Sequence, residues 1–234
     1  MSEMLIETIA AAIPYGRDFF VAHGLRGINC GCGRMLRPGC LNIDQIPMVD
    51  TQGKAAGPGK LVRVHLDGQV SYYLQHDMTQ AFPVANQAFS WGYSEHFIEH
   101  VTPEQAVAWL MEMRRLIAPG GLLRVTTPDL KKYIDGYGDP ESRFFKLHTE
   151  RMEAFTGNKG SVPQRRAWMV NQIFRFFKHQ WIYDFDEIVH IAILAGFDPN
   201  GIMRGEFQSG LLEDVVMLDS PERNDETLYV EMML

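Results

Sequence analysis

Residues 26–44 read Arg26-Gly27-Ile28-Asn29-Cys30-Gly31-Cys32-Gly33-Arg34-Met35-Leu36-Arg37-Pro38-Gly39-Cys40-Leu41-Asn42-Ile43-Asp44. Arg26 to Cys30 is a short strand candidate that runs straight into glycines. Cys40 to Ile43 is a second strand candidate and ends at Asp44. Glycine permits positive φ and lets a ligand approach the backbone closely, so Asn29-Cys30-Gly31-Cys32-Gly33 is a candidate ligand loop. Alone, a G-x-G reads equally well as a tight turn. Asp44 raises it, because a carboxylate at the next strand end can accept hydrogen bonds from both hydroxyls of a ribose. Asp77 ends a third strand candidate, where a carboxylate can accept from an adenine amino group. Either aspartate alone reads as a turn residue or a helix cap. Three such features at successive strand ends are far less expected by chance.

Outward from this stretch, Glu3 to Ala12 reads as a helix that stops before Pro14. Residues 45–60 are rich in Gly, Pro and polar residues and read as a loop. Leu61 to Leu66 and Val70 to Leu74 flank Asp67-Gly68, a hairpin signal, although the second run also suits a core parallel strand leading to Asp77. Ala88 to Tyr93 is a strand candidate. Thr102 as N-cap, Pro103 at the first helical position and Gln105 completing a capping box start the next helix. Its apolar residues Ala106, Leu110, Met113 and Ile117 share one face, and Pro119-Gly120-Gly121 stops it. Leu122 to Thr127 is a strand. Asp184 caps a helix to Ala195, with Gly196 at its end. Ile202 to Phe207 and Leu228 to Met232 are closing strands. This alternation predicts an α/β protein with ligands beyond the carboxyl ends of parallel strands.

Residues 129–183 differ: they are helical in pattern, aromatic and basic. They are expected to form an inserted cover over the site, with 1–128 and 184–234 as the core. Most of their aromatics are expected to pack the insert's own interior. Tyr137, Trp181 and Tyr183 are taken as candidate substrate contacts. Such an insert also suits a dimer interface.

The bulk numbers limit the function. The chain has 234 residues, 46% hydrophobic and 22% charged, with a formal net charge of −7. That argues against a nucleic-acid partner, which needs a dense basic face. The N-terminus is acidic and no apolar run approaches membrane-spanning length, so a cytoplasmic protein is expected. Cys30, Cys32 and Cys40 are an odd-numbered cluster, a poor disulfide framework that suits a reducing compartment.

Three further segments carry a resemblance. Phe89-Ser90-Trp91-Gly92-Tyr93-Ser94-Glu95-His96-Phe97-Ile98-Glu99-His100 is similar to the fourth-strand segment of class I S-adenosylmethionine-dependent methyltransferases. Residues 112–125, through Pro119-Gly120-Gly121, resemble their helix, turn and fifth strand. Residues 179–184 with Ala195-Gly196-Phe197 resemble the C-terminal part of one branch, whose loop after the first strand is short. The resemblance implies a Rossmann-like, seven-stranded, mostly parallel sheet with helices on both faces, and S-adenosylmethionine as cofactor. It implies methyl transfer to a small organic acceptor, through oxygen or nitrogen, such as a natural product or glycolipid. Gly31 and Gly33 would line the methionine and sugar, Asp44 the ribose, Asp77 and Met78 the adenine. Tyr93, Ser94 and Glu95 would pass beside the sulfonium end. Asn29 stands where the family usually has an acid that holds the cofactor ammonium, and Met35 where it often has a third glycine. These departures keep open a second reading: a cofactor-binding protein with a cyclase-like reaction, or a non-catalytic subunit.

Methyl transfer needs orientation above all, and for a hydroxyl or protonated amine a base within reach. His96, after the fourth strand, and His179, where the insert returns to the sheet, are the candidate bases, with Tyr93 and Tyr183 shaping the pocket. Within residues 129–183, His148 is with His179 a possible general base, because histidine titrates near neutral pH, although a lone histidine is more often structural. His96-Phe97-Ile98-Glu99-His100 also matches H-x-x-E-H, and three cysteines can ligate zinc. The resemblance accounts for the first segment without a metal; in the second C-x-C is a tight spacing, no fourth ligand is nearby and the glycines explain the run, so none is expected.

Overall fold

The computed structural model describes residues 3–139 and 141–234. The elements in chain order are β1 (Met4–Thr8), α1 (Arg17–Ala22), β2 (Gly27–Cys30), β3 (Cys40–Asp44), β4 (Leu61–Leu66), β5 (Gln69–Gln75) and β6 (Phe89–Glu95). Then come α2 (Pro103–Leu116), β7 (Ile117–Pro128), α3 (Leu130–Gly138), α4 (Arg143–Thr156), α5 (Arg166–Arg175), α6 (Phe185–Leu194), β8 (Ile202–Gly205), α7 (Glu213–Val216) and β9 (Thr227–Met233). The strands form one sheet in the order β1-β4-β5-β3-β2-β6-β7-β9-β8. The central strands β5, β3, β2, β6 and β7 are parallel to their neighbours within this set. β4 and β9 run against their neighbours. The chain therefore starts its parallel run at β2, in the middle of the sheet, and moves first one way and then the other. The two neighbours β3 and β6 diverge from that switch point, where open α/β sheets hold ligands.

The sheet has nine strands where seven are expected. The additional two are β1 and β4, which extend the β5 edge antiparallel. β4 and β5 form the hairpin at Asp67-Gly68, both with positive φ as a two-residue hairpin turn requires. β5 also pairs in parallel with β3, so both readings of that segment hold at once. The expected helix over Glu3–Ala12 is instead β1, paired from Met4↔Leu66 to Thr8↔Val62. Its only buried side chain is Ile6, so it has one inward residue and no helical stripe to bury. Pairing with β4 supplies the backbone partners that a short isolated helix lacks.

The two sheet faces are covered differently. Ile28, Cys30, Leu41, Ile43, Leu123 and Val125 point to the face that carries Phe20 of α1, Trp109, Leu110 and Met113 of α2, and Ile188 and Ile191 of α6. Burying each such large apolar side chain is worth ~1.5–3 kcal/mol. α2 starts as its sequence indicates: Gln105 N donates to Thr102 Oγ1 and Thr102 N to Gln105 Oε1. It ends at Leu116, and Pro119-Gly120-Gly121 lies within β7. Among the described residues, the opposite face carries the four-residue α7 and loops. Val215 packs there on Cys40, Trp91 and Tyr93, and loop residues Met48 and Ala56 pack on Tyr73. Long helices thus cover one face, in place of the expected two. The reason is the short connection from β2 to β3, residues 31–39, which contains no helix.

α3, α4 and α5 hold their own small core of Tyr133, Phe145, Val162, Met169, Ile173 and Ile182. No described helix is long and apolar enough to cross a membrane.

Candidate functional site

β2, β3, β5 and β6 point their carboxyl ends to one edge of the sheet, and two adjoining cavities open there. The narrower, about 280 Å3, is lined by Asn29, Gly31, Cys32, Gly33, Arg34, Met35, Arg37, Tyr93, Glu95, His96, His100 and Arg223. The wider, about 590 Å3, is bounded by Asp44, Gln45, Ile46, Asp77, Met78 and Thr79 on one side and by Val101, Gln105, Phe177, Lys178 and Gln180 on the other. Gly31, His96 and His100 line both, so the two hollows meet beside the glycine turn.

The turn is built by backbone geometry. Gly31 has φ of +71°, and a Cβ there would lie 2.6 Å from Phe97 Cβ. Gly33 has φ of +56° with open space where its Cβ would be. Asp44 fixes the turn from the next strand. Its Oδ2 accepts from Gly33 N at 2.8 Å and its Oδ1 from Ile46 N at 2.9 Å. Each oxygen keeps lone-pair capacity for a second donor. Asp77 sits at the far side, with Oδ1 accepting from Thr79 N and Oγ1.

Asn29 is buried and its Nδ2 donates to Asn42 Oδ1 at 2.9 Å. That commitment leaves its carbonyl oxygen for the cavity. Three arginines, Arg34, Arg37 and Arg223, line the narrower cavity together with a single carboxylate, Glu95. Glu95 itself is held by Ser220, whose N and Oγ donate at 2.9 and 2.7 Å. Arg37 donates to Leu218 O at 2.8 Å. The loop between β8 and β9 therefore closes this end of the site. It is tied to the sheet by Arg124, fully buried between Asp219 and Glu231 at 2.6 and 2.9 Å. Tyr93 donates to Asp219 in the same network. Burial, with Glu95 and Asp219 nearby, pushes its phenol well above the ordinary range, so it stays neutral.

The structure separates the residues named from the sequence. Asn29, Gly31, Gly33, Asp44, Asp77, Met78, Tyr93, Glu95 and His96 line the paired cavities. Ser94 does not: it is fully buried, its Oγ has no hydrogen-bond partner, and strand alternation turns it away from Tyr93 and Glu95. His179 lines neither of these two cavities, but its ring packs on His100 with centroids 4.9 Å apart. Of the candidate substrate contacts, Tyr137 is half exposed beneath the Arg166 guanidinium, Trp181 is exposed, and Tyr183 is buried in the main core. None of the three lines either cavity. His148 is buried between Asp225, Tyr133 and Gln172, a structural position. The cysteines are free and buried, and burial pushes all three thiols up, that of Cys40 to about 12.

Sequence reasoning passed over Arg223, and Phe177, Lys178 and Gln180 around His179, as lining residues; they reach the site from distant loops. Arg34 and Arg37 carried a readable signal, two cations directly after the glycines.

No family model matches the chain, and no curated protein matches it in sequence. Comparison with solved structures does find similarities. A SAM-dependent methyltransferase from Archaeoglobus fulgidus is 13% identical, aligned over 93% of this chain and 94% of its own, with a TM-score of 0.46. An S-adenosylmethionine-dependent methyltransferase from Mesorhizobium loti is 17% identical, over 93% and 96%, with a TM-score of 0.44. Values this low leave the function to the geometry of the site.

Proposed function

We propose that this protein binds S-adenosylmethionine across the two joined cavities and transfers a methyl group to a small organic acceptor. One observation carries the reading. Four neighbouring parallel strand ends bring the glycine turn, Asp44, Asp77 and Glu95 around one continuous hollow at the switch point of the sheet.

The residues present fit the cofactor at each end. The Asn29 carbonyl oxygen can accept from an ammonium, and the arginines of the same cavity suit a carboxylate. Gly33 leaves open space over the backbone where any other residue would place a side chain. The spare lone pairs of Asp44 suit ribose hydroxyls, and Asp77 with Met78 suits an adenine edge. The bound cofactor would supply a methyl group on a positive sulfur, which leaves with its bonding electrons on sulfur. The protein's part is to hold the acceptor in line, to exclude water and to receive the acceptor proton. His96, which lines both cavities, is our base.

Phe177, Lys178 and Gln180 line the wider cavity, which supports residues 129–183 as a cover over the site. We take the acceptor to be a hydroxyl- or amine-bearing molecule, such as a natural product or glycolipid. A second reading, cofactor binding without methyl transfer, is favoured by Met35, half exposed in the narrower cavity, and by Asn29 in place of an acid. Titration calorimetry with S-adenosylmethionine and S-adenosylhomocysteine decides. Binding of either supports the site, and absence of both removes the two readings together. Binding without turnover of hydroxyl or amine acceptors selects the second reading. Full turnover in His96→Ala removes the base assignment.

A further inference from the structure

Glu99, His100 and His179 form a cluster that the methyl-transfer reading does not use. Their ligand-type atoms, one from each, all lie within 4.8 Å of one another. Two segments eighty residues apart in sequence are fastened together to make it. Gln180 N and Trp181 N donate to Glu99 O at 2.7 and 3.2 Å, and Gln180 Nε2 donates to His100 O at 2.6 Å.

Each side chain is prepared in the manner of a ligand. His179 Nδ1 lies 2.6 Å from the carbonyl oxygen of Ile173, which can only accept. Nδ1 therefore carries the proton, and Nε2 keeps its lone pair, the tautomer that an outer hydrogen bond selects in metal-bound histidines. Neither ring nitrogen of His100 has a hydrogen bond among the described residues. Glu99 is fully buried. Its Oε2 accepts from Thr127 Oγ1, while Oε1 has no hydrogen-bond partner. An ionised oxygen in that position is costly unless positive charge stands beside it.

His96 sharpens the demand. Thr227 Oγ1 gives its proton to Arg223 O at 2.6 Å, so it accepts from His96 Nε2 at 2.8 Å. His96 Nδ1 then faces Glu99 Oε1 at 3.3 Å without hydrogen-bond alignment. A cation beside it would balance the buried carboxylate. Backbone strain gathers here too. Among the described residues, three of the six non-glycine residues with positive φ are His96, Phe177 and Lys178, which flank the cluster, and such strain concentrates where a site is held in place.

We infer that Glu99, His100 and His179 bind one divalent first-row transition ion. Two imidazole nitrogens and one carboxylate suit this class, and three protein ligands leave coordination positions open. His100 lines both cavities, so the open positions would face the place where they meet. On the methyl-transfer reading, the ion would hold an oxygen of the acceptor there. This departs from the expectation of no metal. It also makes His179 a ligand in place of a base.

The test is metal binding by the whole protein, stripped with chelator and separated from it. Zn2+ is followed by calorimetry and Co2+ by its visible absorption. We expect one equivalent of each ion. His100→Ala and His179→Ala should each weaken binding by more than ~100-fold, beyond the loss of an outer partner. His190→Ala, on α6, should bind as the parent does. Both ligand variants alter half-buried residues, and circular dichroism verifies their fold. A folded parent that takes up neither ion overturns the site, as does undiminished binding in both ligand variants. These readouts need no cofactor or acceptor. Failure here leaves the methyl-transfer reading standing, and failure of cofactor binding leaves the metal site standing.

Discussion

Removing the Arg124 guanidinium should be the most damaging single change outside the apolar core. Arg124 donates Nε and Nη2 to the two oxygens of Asp219 at 2.9 and 2.6 Å, and Nη1 to Glu231 at 2.9 Å. Nη2 also reaches Glu206 O at 2.7 Å. In Arg124→Met the volume is largely kept, but two carboxylates are left buried without a counter-charge. Breaking one buried pair this way costs ~3–5 kcal/mol, a large share of the 5–15 kcal/mol typical of a whole domain. The carboxylates have other work: Gln208 N donates to Asp219 Oδ2 and Leu211 N to Glu231 Oε2, both at 2.9 Å. Neutral amides keep those acceptors. The triple variant Arg124→Met, Asp219→Asn, Glu231→Gln should therefore regain more than half of the loss. Urea unfolding gives the free energies, and calorimetry with S-adenosylhomocysteine reports whether the loop bearing Ser220 and Arg223 still closes the cavity. A loss below about 1 kcal/mol in the single variant would refute the charge-balance argument. So would a triple variant no more stable than the single.

Gly31→Ala and Gly33→Ala should differ in a calorimetric melt. Both incur left-handed strain of ~1–2 kcal/mol, but only the first drives a methyl into Phe97, adding ~1–3 kcal/mol. The reverse ranking would remove this account of the turn. Asp44→Asn replaces one of two oxygens that accept from backbone N–H groups, a loss of ~1.5–3 kcal/mol. It should lower the melting temperature and weaken S-adenosylhomocysteine binding; unchanged affinity in a folded variant would take Asp44 out of the ligand site. Burial pushes the Cys40 thiol up to about 12, against about 8.5 in an unfolded chain. Its buried neutral form contributes stability that is fully present below the unfolded value. That contribution is lost as pH rises from about 8.5 towards 12. The melting temperature should fall over this interval, less steeply in Cys40→Ala, and an equal slope in both would count against the thiol.

Much of the fold could be read from local chemistry. The capping box at Thr102 and Gln105, the hairpin at Asp67-Gly68 and the Asp184 cap all rest on contacts within four residues, so short windows contain them. β1 was misread because its order comes from β4, more than fifty residues away, and its own pattern supplies one buried residue. At the site, Asn29, Gly31, Gly33, Asp44 and Asp77 follow from strand ends, which the sequence marks. Ser94 could have been set aside by parity, since Tyr93 and Glu95 face the cavity and the residue between them cannot. The rings of Trp181 and Tyr183 suit a substrate contact, but their direction depends on how residues 179–183 join the sheet. Arg223 reaches the site through the fold of a distant loop, for which spacing offers no sign.

The placement of β9 bears on how the molecule comes to exist. It follows β8 in sequence but stands between β8 and β7 in the sheet. During synthesis β8 emerges with no strand to pair with, and the acidic partners that balance Arg124, at positions 219 and 231, appear later still. A nascent chain can form the glycine turn and the Asp44 contact long before it can close the hollow they serve. Ligand capture thus waits for nearly the whole of this sequence to leave the ribosome, which makes S-adenosylhomocysteine binding a gauge of finished assembly as well as of the site.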